Sequence, residues 1–112
     1  GSVVPEVVLK VTKYLEDNFE QKLTLDNLAQ SFFIAKTTLI YNFKKYLGCS
    51  PMDFLLNTRL TKAKEMLATR KLSVGEIADR CGFSSANYFG LIFKQKEGLS
   101  PLNYRKLQKT KT

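Results

Sequence analysis

The chain lacks histidine and tryptophan and carries only two cysteines, three prolines and six glycines in 112 residues. Without histidine there is no Ser-His-Asp or Cys-His catalysis and no His-containing zinc site, and Cys49 and Cys81 alone cannot complete a tetrahedral one. There is also no P-loop, no G-x-G-x-x-G run and no carboxylate pair in an apolar setting, so the sequence reads as a non-enzyme that needs no cofactor. The cysteines stand 32 residues apart without a C-x-x-C pairing. A disulfide is open in principle, but two thiols in a helical-looking chain read more simply as the reduced residues of a cytoplasmic protein. No apolar run approaches the roughly 20 residues of a membrane helix, and Gly1-Ser2-Val3-Val4-Pro5 lacks the basic flank of a signal peptide. Gly1-Ser2 reads as a cloning remnant.

What is present is a core and a charge. With 44% hydrophobic residues spread along its length, the chain is expected to fold as one small domain, or as two very small lobes on a shared scaffold. Lys and Arg number 18 against 10 Asp and Glu, and the excess of +8 is uneven. Residues 1–35 carry three basic and five acidic side chains (−2), residues 36–71 eight and two (+6), and residues 72–112 seven and three (+4). Such a surface attracts a polyanion, nucleic acid first, with an anionic membrane or an acidic protein next. A merely soluble, lysine-rich surface is the plainer alternative.

A repeat organises the chain. Leu23-Thr-Leu-Asp-Asn-Leu-Ala29 resembles Leu72-Ser-Val-Gly-Glu-Ile-Ala78 at an offset of 49. The match continues at an offset of 50 through Leu39/Phe89, Phe43/Phe93, Lys44/Lys94, Gly48/Gly98, Ser50/Ser100 and Pro51/Pro101, leaving one extra residue between Phe83 and Tyr88. Each copy reads as short helix, turn, longer helix. Thr24 and Ser73 are N-cap residues for helices at about 25–32 and 74–81, and their apolar stripes are Leu25, Leu28, Ala29 and Val74, Ile77, Ala78. In the second copy Cys81-Gly82-Phe83-Ser84 supplies a glycine for the turn, a buried aromatic and a serine cap, which is a helix-turn-helix pattern. The first copy has Phe33 and Ala35 in place of that glycine and cap, which leaves open whether Thr37 caps a helix that starts later.

The longer helices, about 36–47 and 85–97, each end at a glycine, with Leu39, Phe43, Leu47 and Phe89, Phe93 facing inward. Ser50-Pro51 starts a helix of about 18 residues, roughly 27 Å, with a stripe of Met52, Leu56, Leu60, Ala63 and Leu67. A first helix spans about 5–19 and a short last one follows Ser100-Pro101. The expected fold is all-α, seven helices, divided as 1–49 (first helix and first helix-turn-helix), 50–70 (linker helix) and 71–112 (second helix-turn-helix and last helix).

Gly82-Phe83-Ser84, Tyr88-Phe89, Phe93-Lys94, Gly98-Leu99-Ser100-Pro101 and Tyr104-Arg105 resemble the signature of the AraC/XylS family of bacterial transcription regulators. Arg59-Leu60, Ala63 and Met66-Leu67 resemble its linker helix. The resemblance covers about residues 5–107. It implies two helix-turn-helix subdomains joined by a long helix, which place recognition helices in successive major-groove segments, and a regulator that mostly activates by touching RNA polymerase. An asymmetric two-box site on double-stranded DNA is then expected, since two readers in one chain need no palindrome.

Subtracting the core leaves Lys36, Thr37, Ile40, Tyr41 and Lys44 exposed in the first copy. The family's base-contacting positions map onto Thr37, Ile40 and Tyr41, although Ile40 and Tyr41 can equally cover a gap in a small core. In the second copy Ser85, Ala86, Asn87, Gly90 and Leu91 are the exposed set, with Ser85 and Asn87 the candidates for base reading and Asn to adenine the favoured pairing. Leu91 stands where some family members place an arginine, so the second copy looks the weaker reader. Lys36, Lys44, Lys45 and Lys94, with Thr24 and Ser73 at helix starts, are the candidate phosphate contacts; a solvated face and simple capping explain the same residues. Arg59 reads as an intramolecular bridge or a phosphate contact, and the tail from Arg105 as frayed and loosely drawn to DNA. The alternative function is a basic helical protein-interaction module without sequence-specific DNA binding. Gly1-Ser2 and the short lead into the first helix favour a piece of a longer regulator with a sensing or dimerisation domain.

Overall fold

The computed structural model describes residues 3–110; Gly1, Ser2, Lys111 and Thr112, and with them the remnant and the end of the basic tail, lie outside it. The described residues form seven helices and no strand: α1 Glu6–Asp17, α2 Leu25–Ser31, α3 Lys36–Leu47, α4 Pro51–Thr69, α5 Val74–Arg80, α6 Ala86–Glu97 and α7 Pro101–Thr110. The all-α expectation holds. The chain divides into two compact units, Gly1–Thr58 and Arg59–Thr112, which part inside α4.

In the first unit, the spacing of Val8, Val11 and Leu15 on α1 puts all three on one face, and they are fully buried with Leu28, Ala29, Leu39, Phe43 and Leu55. Each of the valine, leucine and phenylalanine side chains contributes roughly 1.5–3 kcal/mol of burial free energy. α1 stops at Asp17, short of the expected residue 19: Asn18 makes the last helical bond, its N–H donating to the Tyr14 carbonyl, but its own backbone leaves the helix at φ −128° and ψ 27°, and its side-chain amide donates to the same carbonyl. α4 begins as expected: Pro51 takes the first position, where no N–H is needed, and the Ser50 hydroxyl accepts the Asp53 N–H at 3.1 Å. Its buried stripe in this unit is corrected. Leu55 is buried and Leu56 only half-buried, and Phe54 sets its ring edge against Phe43 at 6.1 Å. Leu47, expected inside, is exposed.

In the second unit, Leu60, Ala63 and Leu67 of α4 are buried with Ile77, Ala78, Cys81, Phe83, Phe89 and Phe93. A run of ring contacts, Phe83–Phe89 at 4.8 Å, Phe89–Phe93 at 5.5 Å and Phe93–Tyr104 at 5.6 Å, ties the turn after α5 to α6 and α7. The tail expectation is corrected as well. α7 continues to Thr110, and Arg105 does not fray: its Nε donates to the Leu67 carbonyl at 3.1 Å and its guanidinium to the Arg70 carbonyl at 3.2 Å. These carbonyls close the end of α4, which has no glycine there, so a side chain supplies the missing donors. Among the described residues, no helix is long and apolar enough to cross a membrane, and no group of three or more His, Cys, Asp or Glu is placed to hold a metal ion. Both cysteines are free thiols.

Candidate nucleic-acid interface

Each unit contains a short helix, a tight turn and a longer helix, α2–α3 and α5–α6. The short helices start as predicted: the Thr24 hydroxyl accepts the Asn27 N–H and the Ser73 hydroxyl the Glu76 N–H, both at 3.1 Å. The turns are equivalent bond by bond. Phe32 N–H donates to the Leu28 carbonyl, Phe33 N–H to Gln30 and Ile34 N–H to Ala29; Cys81, Gly82 and Phe83 donate in the same way to Ile77, Asp79 and Ala78. Gly82 meets this geometry at φ 87°, the left-handed region that glycine enters at no steric cost. Phe33 enters it too, at φ 54°, at a cost of about 1–2 kcal/mol for a residue with a Cβ. The first turn therefore keeps its shape in spite of its sequence. Phe33 gains no packing in return, its side chain being 97% exposed.

The starts of the longer helices differ. α6 is capped by Ser85, whose hydroxyl accepts the Tyr88 N–H at 3.0 Å. The cap expected at Ser84 thus falls one residue later, and Ser84 is the extra residue of the second copy. α3 starts at Ala35, extended at ψ 143° with no side-chain cap, so Thr37 lies inside the first turn of α3 and caps nothing. Gly48 and Gly98 end the two helices in the left-handed conformation at φ 77° and 86°.

On α3, Thr37 and Tyr41 are exposed, Tyr41 at 62%, and Ile40 is half-buried on the same face. The face also includes Thr38, exposed and overlooked in the sequence. Lys36 is exposed and reaches back to Asp26 of α2 at 2.7 Å, a solvent-screened pair of small worth. Lys45 lies 5.8 Å from the Tyr41 ring and 5.4 Å from the Tyr46 ring, so its ammonium is held beside the exposed face of α3 by two aromatics. Lys44 and Lys94 are exposed in the last turns of α3 and α6, where a cation also suits the helix dipole.

On α6, Ser85, Ala86, Asn87 and Leu91 are exposed, Leu91 at 74%, and Gly90 is half-buried between them. Tyr88, also exposed, belongs to this face and was not foreseen. An open groove of about 440 Å³ runs along Ala86, Asn87, Gly90 and Leu91 to Ser100 and Pro101. Behind the face, Arg59 is half-buried near Tyr88 and Cys81, and burial draws its pKa below the ordinary arginine value. The Cys81 thiol, 3.8 Å from the Met66 sulfur, is pushed up to about 11 by burial, with Arg59 pulling against the rise and Glu65 adding to it.

Two helix-turn-helix units that each leave one face of the longer helix exposed are the architecture of a DNA-binding domain. A family model described as a helix-turn-helix domain matches residues 28–107. The chain is 33% identical to the C-terminal domain of AraT, a response regulator from Geobacillus stearothermophilus, with a TM-score of 0.90, covering 95% of this chain and 88% of that one. The DNA-binding domain of AdpA, a global transcriptional factor solved in complex with a target DNA, matches with a TM-score of 0.90 at 25% identity over 96% of each chain. The transcriptional activator RhaS of Escherichia coli O139:H28 is 36% identical over 92 residues, 82% of this chain and 33% of its own length. The chain belongs to the AraC/XylS family of helix-turn-helix transcription regulators and is a DNA-binding domain, not an enzyme. It spans about a third of the length of the curated relatives it matches.

Proposed function

We propose that the chain recognises an asymmetric two-box site on duplex DNA, with α3 and α6 entering successive major-groove segments, residues 1–49 and 71–112 as the two readers and residues 50–70 as the link. The observation that carries this reading is the matched exposure of Thr37 and Tyr41 on α3 and Asn87 and Leu91 on α6, with Ile40 and Gly90 half-buried beside them, at the same register of the two copies. Thr37 and Tyr41 offer hydroxyls and apolar surface to base edges, and Asn87 offers the bidentate amide that suits adenine. Ser85 contributes at the helix start, where its hydroxyl already serves as the cap. Lys36, Lys44, Lys45 and Lys94 neutralise phosphates, and Thr24 and Ser73 stand at the starts of α2 and α5, where the Ser73 hydroxyl exchanges its present acceptor, the Glu76 carboxylate, for a phosphate oxygen. The regulator containing this domain carries a sensing or dimerisation domain as well, works in the bacterial cytoplasm and activates transcription through RNA polymerase. The name of the relative RhaS as an activator supports that last step.

The test is selection of binding sites from duplexes with about 25 randomised base pairs, long enough for two groove segments of about 10 bp each. Two enriched boxes about one turn apart are expected, together with an affinity that falls log-linearly with salt at about −0.9 per phosphate neutralised. Tyr41→Ala or Thr37→Ala should relax the selected sequence more than Asn87→Ala. Binding without enrichment, or an affinity indifferent to salt, overturns the reading and favours a protein-interaction module.

A further inference from the structure

Gly90 has no structural reason to be glycine. It lies in the middle of α6, its φ is not in the left-handed region, and a Cβ placed on it would meet nothing within 4 Å. Glycine in a helix interior weakens the helix relative to alanine, so the fold is poorer for it. The counterpart in the first copy is Ile40, and next to it Tyr41 corresponds to Leu91. One reading helix presents two large side chains where the other presents a gap flanked by Ala86 and an outward leucine. Ala86 and Gly90, and Asn87 and Leu91, are each four residues apart and so stack in adjacent turns, and the groove they line continues to Ser100 and Pro101. No charged side chain lines it.

On the major-groove edge of DNA the C5-methyl of thymine is the apolar group, and small or aliphatic side chains are its partners. We propose that the Ala86–Gly90–Leu91 notch takes a thymine methyl, so that the second box contains a thymine read by its methyl group alone, with Gly90 opening the helix for close approach and Leu91 covering the methyl from one side. This rests on α6 being a reading helix, as proposed above, and specifies what that helix recognises. It also gives Leu91, the exposed aliphatic residue of this face, a role beside the polar Asn87.

The experiment replaces each thymine of the selected site, one at a time, by deoxyuridine, which keeps base pairing and removes only the methyl. One thymine is expected at which the replacement weakens binding about fourfold, the worth of one buried methyl. In Leu91→Ala that penalty should shrink towards one, while thymines of the other box keep theirs. Gly90→Ala should melt at a higher temperature than the parent chain yet lose the preference for thymine over uracil at the same position. A site in which every uracil penalty survives both substitutions overturns the notch and leaves the two-box reading standing, as does a Gly90→Ala chain that is more stable and equally discriminating. A pool that yields no site at all overturns both.

Discussion

The two helix-turn-helix units have the same turn, hydrogen bond for hydrogen bond, and reach it with opposite chemistry. The second uses Gly82 and a serine cap; the first uses Phe33 at φ 54° and the uncapped Ala35. The turn is therefore imposed from outside itself. In both units the residue after the left-handed one is tied to an alanine of the short helix, Ile34 to Ala29 and Phe83 to Ala78, and those alanines are buried against the core. Packing over-determines the backbone, and a locally unfavourable residue is tolerated because the surroundings leave it no other conformation. The first unit thus stores strain that the second does not, while the second carries a glycine in its reading helix that the first does not.

The largest effects should leave the two units alike. Phe43→Ala and Phe93→Ala each empty a fully buried site and should each cost about 3–5 kcal/mol in urea unfolding; a much smaller loss in one would show that its core is the looser. Alkaline pH should separate them. Below about pH 9 the Cys81 thiol is neutral whether folded or unfolded, so its contribution is intact; above that the unfolded thiol ionises while the buried one, at about 11, does not. Stability is then lost as pH climbs from 9 to 11, by up to about 2 kcal/mol from this group. The corresponding first-unit residue is Phe32, which cannot titrate, while the half-buried Cys49 of that unit is also raised, by burial and by Asp53, so the Cys81→Ala chain isolates the second unit's share. Thermal unfolding of the parent and Cys81→Ala chains across that range reads the difference, and parallel pH profiles would refute it.

Smaller changes should make one unit resemble the other. Ser85→Ala should cost about 1 kcal/mol by removing the acceptor for the Tyr88 N–H. Ala35→Ser, in an extended conformation already suited to a cap, should add a similar amount. Phe33→Gly should stabilise the fold by about 0.5–1 kcal/mol, the relieved left-handed strain being partly offset by the freer unfolded chain. Chemical denaturation of the three variants is sufficient. A destabilised Phe33→Gly chain would mean that the exposed ring has a folded-state contact after all.

The helices were legible because their signals are local: apolar spacing on α1, hydroxyl caps before α2 and α5, serine-proline starts at α4 and α7, and glycines after α3 and α6. The details that escaped depend on partners far along the chain or on choices between neighbours of equal chemistry. Ser84 and Ser85 are equally good caps on paper, and only the register of α6 selects the second. Leu55 and Leu56 are interchangeable in a helix with apolar residues on more than one face, until Leu28, Leu39 and Phe43 bury one of them. Phe33 argued against the turn it adopts. The exposure of Thr37, Tyr41 and Asn87 was legible because subtracting the core residues leaves them outside, whereas that of Tyr88 was hidden by its buried neighbour Phe89.

Arg105 has a bearing on how the protein comes into being. The end of α4 is completed by a side chain 35 and 38 residues downstream of the carbonyls it satisfies. During synthesis the first unit has every residue of its core in place once Leu55 has emerged, but the end of α4 lacks these side-chain donors until Arg105 has been made. A stalled product ending before Arg105 would present a finished first unit and a second one with the end of α4 unsatisfied, a ready target for proteolysis.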